Sequence, residues 1–195
     1  MEVYGKQLYL YRINIDYIKY LHNFDKEVYY DEKDEDYENK PYLGIIVSNN
    51  GYKYFIPLTS AKEKHKDLKN SSDNYIMIYE KVSLQDSMKL DTQNWISKVI
   101  TEKNTFIIKH ILSILDIKKM IPVSDGVFYK ENIDSMKDSG RKRLLLKEYE
   151  FLSPIKDKIL KKAENIYSKQ LETNKIFPGY CNFLLLEEVS KNYKV

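Results

Sequence analysis

The chain has 195 residues, 43% hydrophobic and 31% charged, with a net charge of +3, which predicts one soluble globular domain over residues 1–195. No apolar stretch approaches the roughly 18 residues of a transmembrane helix, and no basic segment followed by an apolar run opens the chain, so we expect a cytoplasmic protein without membrane contact. The single cysteine, Cys181, excludes an internal disulfide and a thiolate zinc cluster.

Charge is distributed unevenly along the chain. Acidic residues dominate the segment 25–38, which predicts a solvated loop, and the rest of the chain is correspondingly more basic. Two basic clusters follow, one of Lys62, Lys64, Lys66 and Lys69 and one of Arg141, Lys142, Arg143 and Lys147. Such clusters suit a polyanion such as RNA, although a charge run can also be a solvated face.

The first half of the chain is predicted to be rich in strands. Residues 8–13 alternate as in a short strand, and Asn14 can cap a helix whose apolar residues have helical spacing. The runs Tyr42–Val47 and Tyr52–Ile56 flank Asn49-Asn50-Gly51, a signal for a hairpin turn.

The second hairpin strand leads into a group of polar residues, namely Thr59, Ser60, Lys62 and His65. A strand end that feeds a polar loop is a common place for functional side chains. The alternative is a surface loop whose hydroxyls cap a short helix.

Further along the chain, residues 74–79 are typical of a buried strand and residues 115–123 of another, stopped by Pro122. Residues 82–104 are ambiguous, because Trp95, Ile96, Val99 and Ile100 have helical spacing. The segment from Thr105 reads as extended.

Helices dominate the last third of the chain. An amphipathic helix is predicted over residues 141–152, a second starts with Ser153 as N-cap and Pro154 at its first position, and Asn182 can cap a third over residues 183–190. Because turns and not crossover helices separate the strands, the predicted class is α+β with a strongly curved antiparallel sheet.

Several catalytic classes are excluded by missing motifs. The chain has no Gly-rich phosphate loop, no Gly-x-Ser-x-Gly turn and no His-Glu-x-x-His pair. The three histidines, His22, His65 and His110, are too far apart in sequence for a local metal pair. Chemistry without a metal or cofactor is therefore expected.

Four segments of the chain form a recognisable set: the hairpin with Pro-Leu-Thr-Ser60-Ala-Lys-Glu-Lys-His65, then Lys119-Met-Ile-Pro122, Arg141-Lys-Arg-Leu-Leu, and Cys181-Asn-Phe-Leu-Leu-Leu-Glu-Glu188. Together they resemble the ToxN/AbiQ family, the endoribonuclease toxins of type III toxin–antitoxin systems. They cover most of the chain in the family's order. Residues 82–104 and the acidic loop are longer than the family leads us to expect.

The resemblance implies a compact, partly barrel-like sheet with surrounding helices, similar to the MazF-type toxins. It also implies metal-independent RNA cleavage, with inhibition by a cognate repetitive RNA antitoxin that the toxin itself processes. The expected partners are RNA pseudoknots, in a cyclic protein–RNA assembly, and cellular or phage RNA as substrate. The expected role is phage defence by abortive infection.

The polar strand end can support this reaction. RNA supplies its own nucleophile, the 2′-hydroxyl, so an enzyme need only align it, move protons and stabilise the transition state, giving a 2′,3′-cyclic phosphate and a 5′-hydroxyl. Ser60 and Thr59 can hold phosphate oxygens or relay a proton, and Lys62 can offset the developing negative charge. His65 is the nearby group that titrates near neutrality, unless it is a structural histidine. Lys40 matches a lysine of the family's motif and is brought near by strand pairing, or else is a solvent lysine.

The expected RNA contacts come from the basic clusters and from one aromatic residue: Lys64, Lys66, Arg141, Lys142, Arg143, Lys147 and Tyr17. Tyr17 and Tyr149 can stack on bases, with a place in the core as the alternative. The alternative function is a noncatalytic RNA-binding module on a similar small barrel, which would tolerate Ser60→Ala.

Overall fold

The computed structural model describes residues 2–3, 8–31, 40–46, 52–90 and 95–194. These residues form nine strands: β1 Glu2–Val3, β2 Leu10–Ile13, β3 Tyr42–Ile46, β4 Lys53–Ser60, β5 Tyr75–Ser83, β6 Ser97–Glu102, β7 Thr105–Asp116, β8 Ile121–Val123 and β9 Phe128–Lys130. The same part of the chain holds five α-helices: α1 Ile15–Phe24, α2 Leu84–Ser87, α3 Ser139–Leu152, α4 Lys156–Thr173 and α5 Phe183–Ser190. None of these helices combines the length and apolarity needed to cross a membrane.

All strand pairs are antiparallel and belong to one sheet, in the order β5-β7-β4-β3-β2-β9. Three further strands join this path, β1 on β3, β6 on β7 and β8 on β4. The α+β class with an antiparallel sheet is confirmed. The expected barrel is not found, because β5 and β9 end the path without pairing to each other in the described structure.

Strand β4 is the centre of the sheet. It pairs with β3 from Tyr42↔Pro57 to Ile46↔Lys53, so the predicted hairpin is present, although its turn lies outside the described residues. On its other side β4 pairs first with β8 and then, through its last three residues, with β7. A strand held on both sides gives its end a fixed position.

Two apolar clusters fill the space around the sheet. The larger cluster packs β2, β3, β4 and the helices together and includes Tyr17, Tyr54 and Phe183. The smaller cluster, Met77, Ile111 and Ile114, lies beneath the segment that follows β4. Alternate residues of β7 thus contribute to different clusters.

The structure settles one ambiguous segment and corrects two predicted elements. Residues 97–102, within the segment whose pattern was ambiguous, form a strand, because they pair along their whole length with β7. Pro122 lies inside β8 and does not end the preceding strand, which stops at Asp116 and is followed by a 3-10 turn, Ile117–Lys119. Ser153 begins a 3-10 turn between α3 and α4 and accepts no capping bond.

The predicted helix caps at Asn14 and Asn182 are confirmed. The Asn14 side chain accepts a hydrogen bond from the Asp16 amide at 2.7 Å, and that of Asn182 accepts one from the Leu185 amide at 3.2 Å. Helix α3 is capped by Asp138, which accepts from the amides of Gly140 and Arg141. Each such cap satisfies amides that have no partner inside the helix.

Helix α5 places a carboxylate in the core. Glu187 is 6% exposed and accepts hydrogen bonds from the hydroxyls of Tyr54 at 2.9 Å and Tyr167 at 2.8 Å. These tyrosines belong to β4 and α4, so one carboxylate joins three elements. The Gln170 side chain adds two bonds, donating to the Cys181 carbonyl at 3.1 Å and accepting from the Phe183 amide at 2.7 Å.

We expect Glu187→Ala to lower the free energy of unfolding by about 3 kcal/mol, because it removes a buried acceptor that the hydroxyls of Tyr54 and Tyr167 share. Urea unfolding measures the effect, with Glu187→Gln as the matched control that keeps one carbonyl oxygen. Equal stability of the alanine variant and the wild type would show that the two hydroxyls find other partners.

Candidate active site

The polar strand end is built by the last residues of β4. Leu58, Thr59 and Ser60 pair with Leu115, Ile114 and Ser113 of β7. Ser60 is exposed, whereas Thr59 is half-buried and its hydroxyl lies 3.4 Å from the Ile114 carbonyl. The two hydroxyls are therefore on opposite faces of the sheet, at the end of β4.

Lys40 reaches the same strand end through the β3–β4 pairing. The Leu58 amide donates to the Pro41 carbonyl at 2.9 Å, which continues the ladder one step beyond Tyr42↔Pro57. Lys40 therefore lies beside the end of β4, as strand pairing predicted. Its ammonium sits 3.6 Å from the centre of the Tyr29 ring, a cation–π contact.

Lys62 and His65 are joined by a tight 3-10 turn, Glu63–His65. The Lys62 amide donates to Nδ1 of His65 at 3.0 Å. Burial, with smaller contributions from the charges of Lys64 and Lys62, lowers the pKa of His65 below its usual value. The neutral ring therefore uses Nδ1 as acceptor and carries its proton on Nε2, so its one basic nitrogen is already engaged. This geometry favours a structural role.

A basic surface surrounds Asp116 at the end of β7. Burial raises the pKa of Asp116 to about 6, against the opposing charges of Lys118, Lys119, Lys64 and Lys40. Four ammonium groups from three segments thus act on one carboxyl, whose Oδ1 has no hydrogen-bond partner among the described residues. The excess of positive charge suits a phosphate. Sequence reasoning missed Lys118 as a contributor, although the neighbouring Lys119 belongs to one of the segments that carry the resemblance.

Behind Ser60 lies a second buried carboxyl, Glu148 of α3. Glu148 is 2% exposed, and Ser113, the direct partner of Ser60, is 3% exposed. Burial raises the pKa of Glu148 to about 7, while the adjacent Ser113 hydroxyl and the Arg141 charge act to lower it. Its Oε2 has no hydrogen-bond partner in the described structure. The sequence shows Glu148 only as part of a charged helix face, so pattern alone could not identify it.

The basic cluster on α3 contains three half-buried residues and one exposed residue. Arg141 is half-buried near Glu148, Lys142 donates to the Asp134 carbonyl at 2.8 Å, and Lys147 forms an ion pair with Glu80 at 2.5 Å. Arg143 is exposed. The other cluster has Lys62 and Lys64 exposed and Lys66 paired with Glu63 at 2.8 Å.

Tyr17 does not lie on any RNA-accessible surface. It is 0% exposed, donates a hydrogen bond to the Pro122 carbonyl at 2.7 Å and packs against the Tyr193 ring. The structure therefore corrects the expectation that Tyr17 stacks on bases. Tyr149 is half-buried against the larger apolar cluster.

The described residues include no group of three histidine, cysteine, aspartate or glutamate side chains placed to hold a metal ion. The groups that meet at the end of β4 are hydroxyls, ammonium groups and one imidazole. We call Lys40, Thr59, Ser60, Lys62 and His65 the strand-end site. Hydroxyls and ammonium groups can bind a phosphate and stabilise added negative charge on it.

Comparison with known proteins decides the family. The family model for the toxin ToxN of type III toxin–antitoxin systems matches residues 9–191. The chain belongs to the ToxN family. Among the relatives of this chain, the endoribonuclease ToxN of Pectobacterium atrosepticum is 29% identical to it over 184 residues, covering 94% of this chain and 92% of that protein. The endoribonuclease AbiQ of Lactococcus lactis subsp. lactis is 26% identical over 203 residues, covering 98% and 92%.

Solved structures share the ToxN fold. One of them comes from work described as "A processed non-coding RNA regulates a bacterial antiviral system" and matches with a TM-score of 0.69 at 28% identity. The match covers 95% of this chain and 98% of that one. Another, described as selective toxin inhibition by a non-coding RNA pseudoknot, has a TM-score of 0.68 at 23% identity, with 96% and 98% covered. At that identity the second match supports the fold alone.

We expect Glu148→Gln to stabilise the protein above pH 7. The pKa of Glu148 rises from an ordinary 4.5 to about 7 on folding, so the folded state holds a proton that the unfolded state releases. Stability is therefore lost as pH rises from the unfolded to the folded pKa, by about 3 kcal/mol in all. Urea unfolding at pH 5 and pH 8 should show the gain chiefly at pH 8.

The matched control is Glu150→Gln, which changes an exposed carboxyl of the same helix. An equal gain for both variants would attribute the effect to the net charge of α3. An unchanged stability of Glu148→Gln at pH 8 would contradict a buried, protonated carboxyl.

Proposed function

We propose that the chain is a metal-independent endoribonuclease toxin, restrained by a structured RNA antitoxin. The observation that carries the proposal is that Thr59, Ser60, Lys62 and Lys40 all lie at the same end of β4. Membership of the ToxN family and the endoribonuclease names of its relatives support the same reading. The substrate class is single-stranded RNA, which brings its own 2′-hydroxyl to the reaction.

The reaction begins with a phosphate held at the strand-end site. The exposed Ser60 hydroxyl donates to a phosphate oxygen, and the ammonium groups of Lys62 and Lys40 lie where added negative charge develops. The 2′-hydroxyl then loses its proton to water and attacks the adjacent phosphorus, forming the O–P bond. As the bond to the 5′-oxygen breaks, that oxygen takes up a proton from water. The products are a 2′,3′-cyclic phosphate and a 5′-hydroxyl.

Proton transfer does not depend on His65 as a base. Its Nδ1 accepts the Lys62 amide, which leaves the Nε2–H free to donate to a phosphate oxygen. Its lowered pKa keeps the ring neutral at pH 7. The role of His65 is thus to hold the turn that presents Lys62, and to bind the phosphate as a neutral donor.

RNA beyond the cut is bound by the basic surfaces on either side of the strand end. Lys64, Lys118 and Lys119 flank Asp116, and Arg141 and Arg143 begin α3. A folded RNA that covers both surfaces blocks the site, which is the basis of inhibition by a pseudoknot antitoxin. The assembly we propose is cyclic, with alternating toxin and RNA. Its biological role is phage defence by abortive infection.

The alternative function is an RNA-binding module without catalysis. The same basic surfaces would serve it, so affinity for RNA does not separate the two functions. Removal of the exposed Ser60 hydroxyl does separate them, because a binding module needs no side chain to stabilise a transition state.

We expect Ser60→Ala and Lys62→Ala each to abolish toxicity. Loss of one transition-state contact costs about 3 kcal/mol, on the order of a hundredfold in rate. Growth after induction in cells lacking the antitoxin measures toxicity, and circular dichroism of each variant checks folding. Lys175→Ala, which removes an exposed lysine following α4, is the matched control. Growth arrest by Ser60→Ala equal to the wild type would support the binding module.

We expect cleavage in excess chelator and products with 2′,3′-cyclic phosphate and 5′-hydroxyl ends. The reason is that the nucleophile is the substrate's own 2′-hydroxyl, so a 2′-deoxy nucleotide at the cut should block the reaction. Mass spectrometry of the fragments identifies the ends. Loss of cleavage in chelator, restored by magnesium, would contradict the mechanism.

A further inference from the structure

Strands β4 and β6 lie end to end along the same side of β7. Ser60 ends β4 opposite Ser113, and Ser97 begins β6 opposite His110. The Ile111 amide also donates to the Ile96 carbonyl at 2.8 Å. The start of β6 is therefore only three residues of β7 from Ser60, about 10 Å at the rise of a strand.

Ser60 and His110 also face the same side of the sheet. Ser113 is on the same face as its partner Ser60, and its hydroxyl acts to lower the pKa of Glu148 of α3. His110 bonds Glu80, which pairs with Lys147, the residue directly before Glu148. Helix α3 thus lies beside both positions, and a β-bulge in the β5–β7 ladder between Ile78 and Tyr79 keeps His110 on this face.

Trp95 stacks flat on the His110 ring. The two ring centroids are 3.8 Å apart and the planes differ by 4°. The His110 ring is fixed from the side, because Nδ1 lies 2.8 Å from a carboxylate oxygen of Glu80, whose other oxygen binds the Lys147 ammonium at 2.5 Å. Trp95 is half-buried, and in the described structure it belongs to neither apolar cluster. A tryptophan ring is thus held in place by a polar support and not by the core.

We propose that Trp95, supported by His110, is a stacking subsite for an unpaired base of the RNA strand whose phosphate lies at Ser60. The proposal rests on the proposed function and extends it to a second contact on the substrate. The occupant is a nucleobase because single-stranded RNA is bound through stacking of its unpaired bases on aromatic faces. A base within a duplex has no free face, so the subsite selects unpaired RNA.

The subsite also gives residues 82–104 a role. Its stacking ring comes from Trp95, two residues before β6, and β6 is positioned by its ladder with β7. Stacking is tolerant of base identity, so the subsite contributes affinity and register rather than sequence choice. Register matters because a base held about 10 Å from Ser60 fixes which phosphate reaches the hydroxyl.

The chain offers a direct reporter, because Trp95 is its only tryptophan. In the Ser60→Ala protein, which should bind without cutting, a short single-stranded RNA should quench Trp95 fluorescence. An abasic oligonucleotide of equal length and charge should not. Quenching by both to the same extent, or by neither while the RNA binds, would overturn the subsite.

Substitution provides a second measurement. With labelled RNA and fluorescence anisotropy, Trp95→Ala should weaken binding roughly tenfold, whereas Trp95→Phe should keep most of the affinity. Equal weakening by both variants would assign Trp95 a structural role and overturn the proposal. Quenching by RNA combined with no cleavage by the wild-type protein would instead support the subsite and contradict the proposed catalytic function.

Discussion

The pairing of β4 with β7 through three residues is the constraint on which the site depends. It places Ser60 opposite Ser113 and thereby next to α3, and it directs Thr59 toward the opposite face. A register shift of one residue would exchange the two hydroxyls between faces. Because β4 also pairs with β3 and β8, such a shift would disrupt three ladders together. The geometry of the strand end is therefore fixed by all three neighbouring strands.

The segments that suggested the family divide into two physical roles. The segment at the end of β4 positions the exposed Ser60 hydroxyl and two exposed lysines, whereas Cys181 and Glu187 are buried and join α5 to β4 and α4. The second segment therefore secures the strand whose end carries the first. A motif can thus identify a family strongly while contributing no group to its chemistry.

Local chemistry made part of this structure predictable from sequence. Asn14 and Asn182 were recognisable as caps because a side chain two or three residues from an amide needs no tertiary information, and the β3–β4 hairpin followed from strand propensity around its turn signal. The secondary structure of residues 97–102 could not be predicted from local sequence, because their apolar spacing also fits a helix. Only the ladder with β7 decides for a strand. The raised pKa values of Glu148 and Asp116 could not be predicted either, because burial of a carboxyl depends on what packs over it.

These two carboxyls show where the protein gives up stability. Each has a buried oxygen that lacks a hydrogen-bond partner in the described structure, and burial raises the pKa of both. Both are close to the end of β4, Asp116 among lysines at the end of β7 and Glu148 behind Ser113. Replacement of either by an apolar residue would remove a cost that the fold does not require. Unpartnered polar groups of the described residues are thus concentrated around one strand end, whereas the buried carboxylate of Glu187 is paired with two tyrosines.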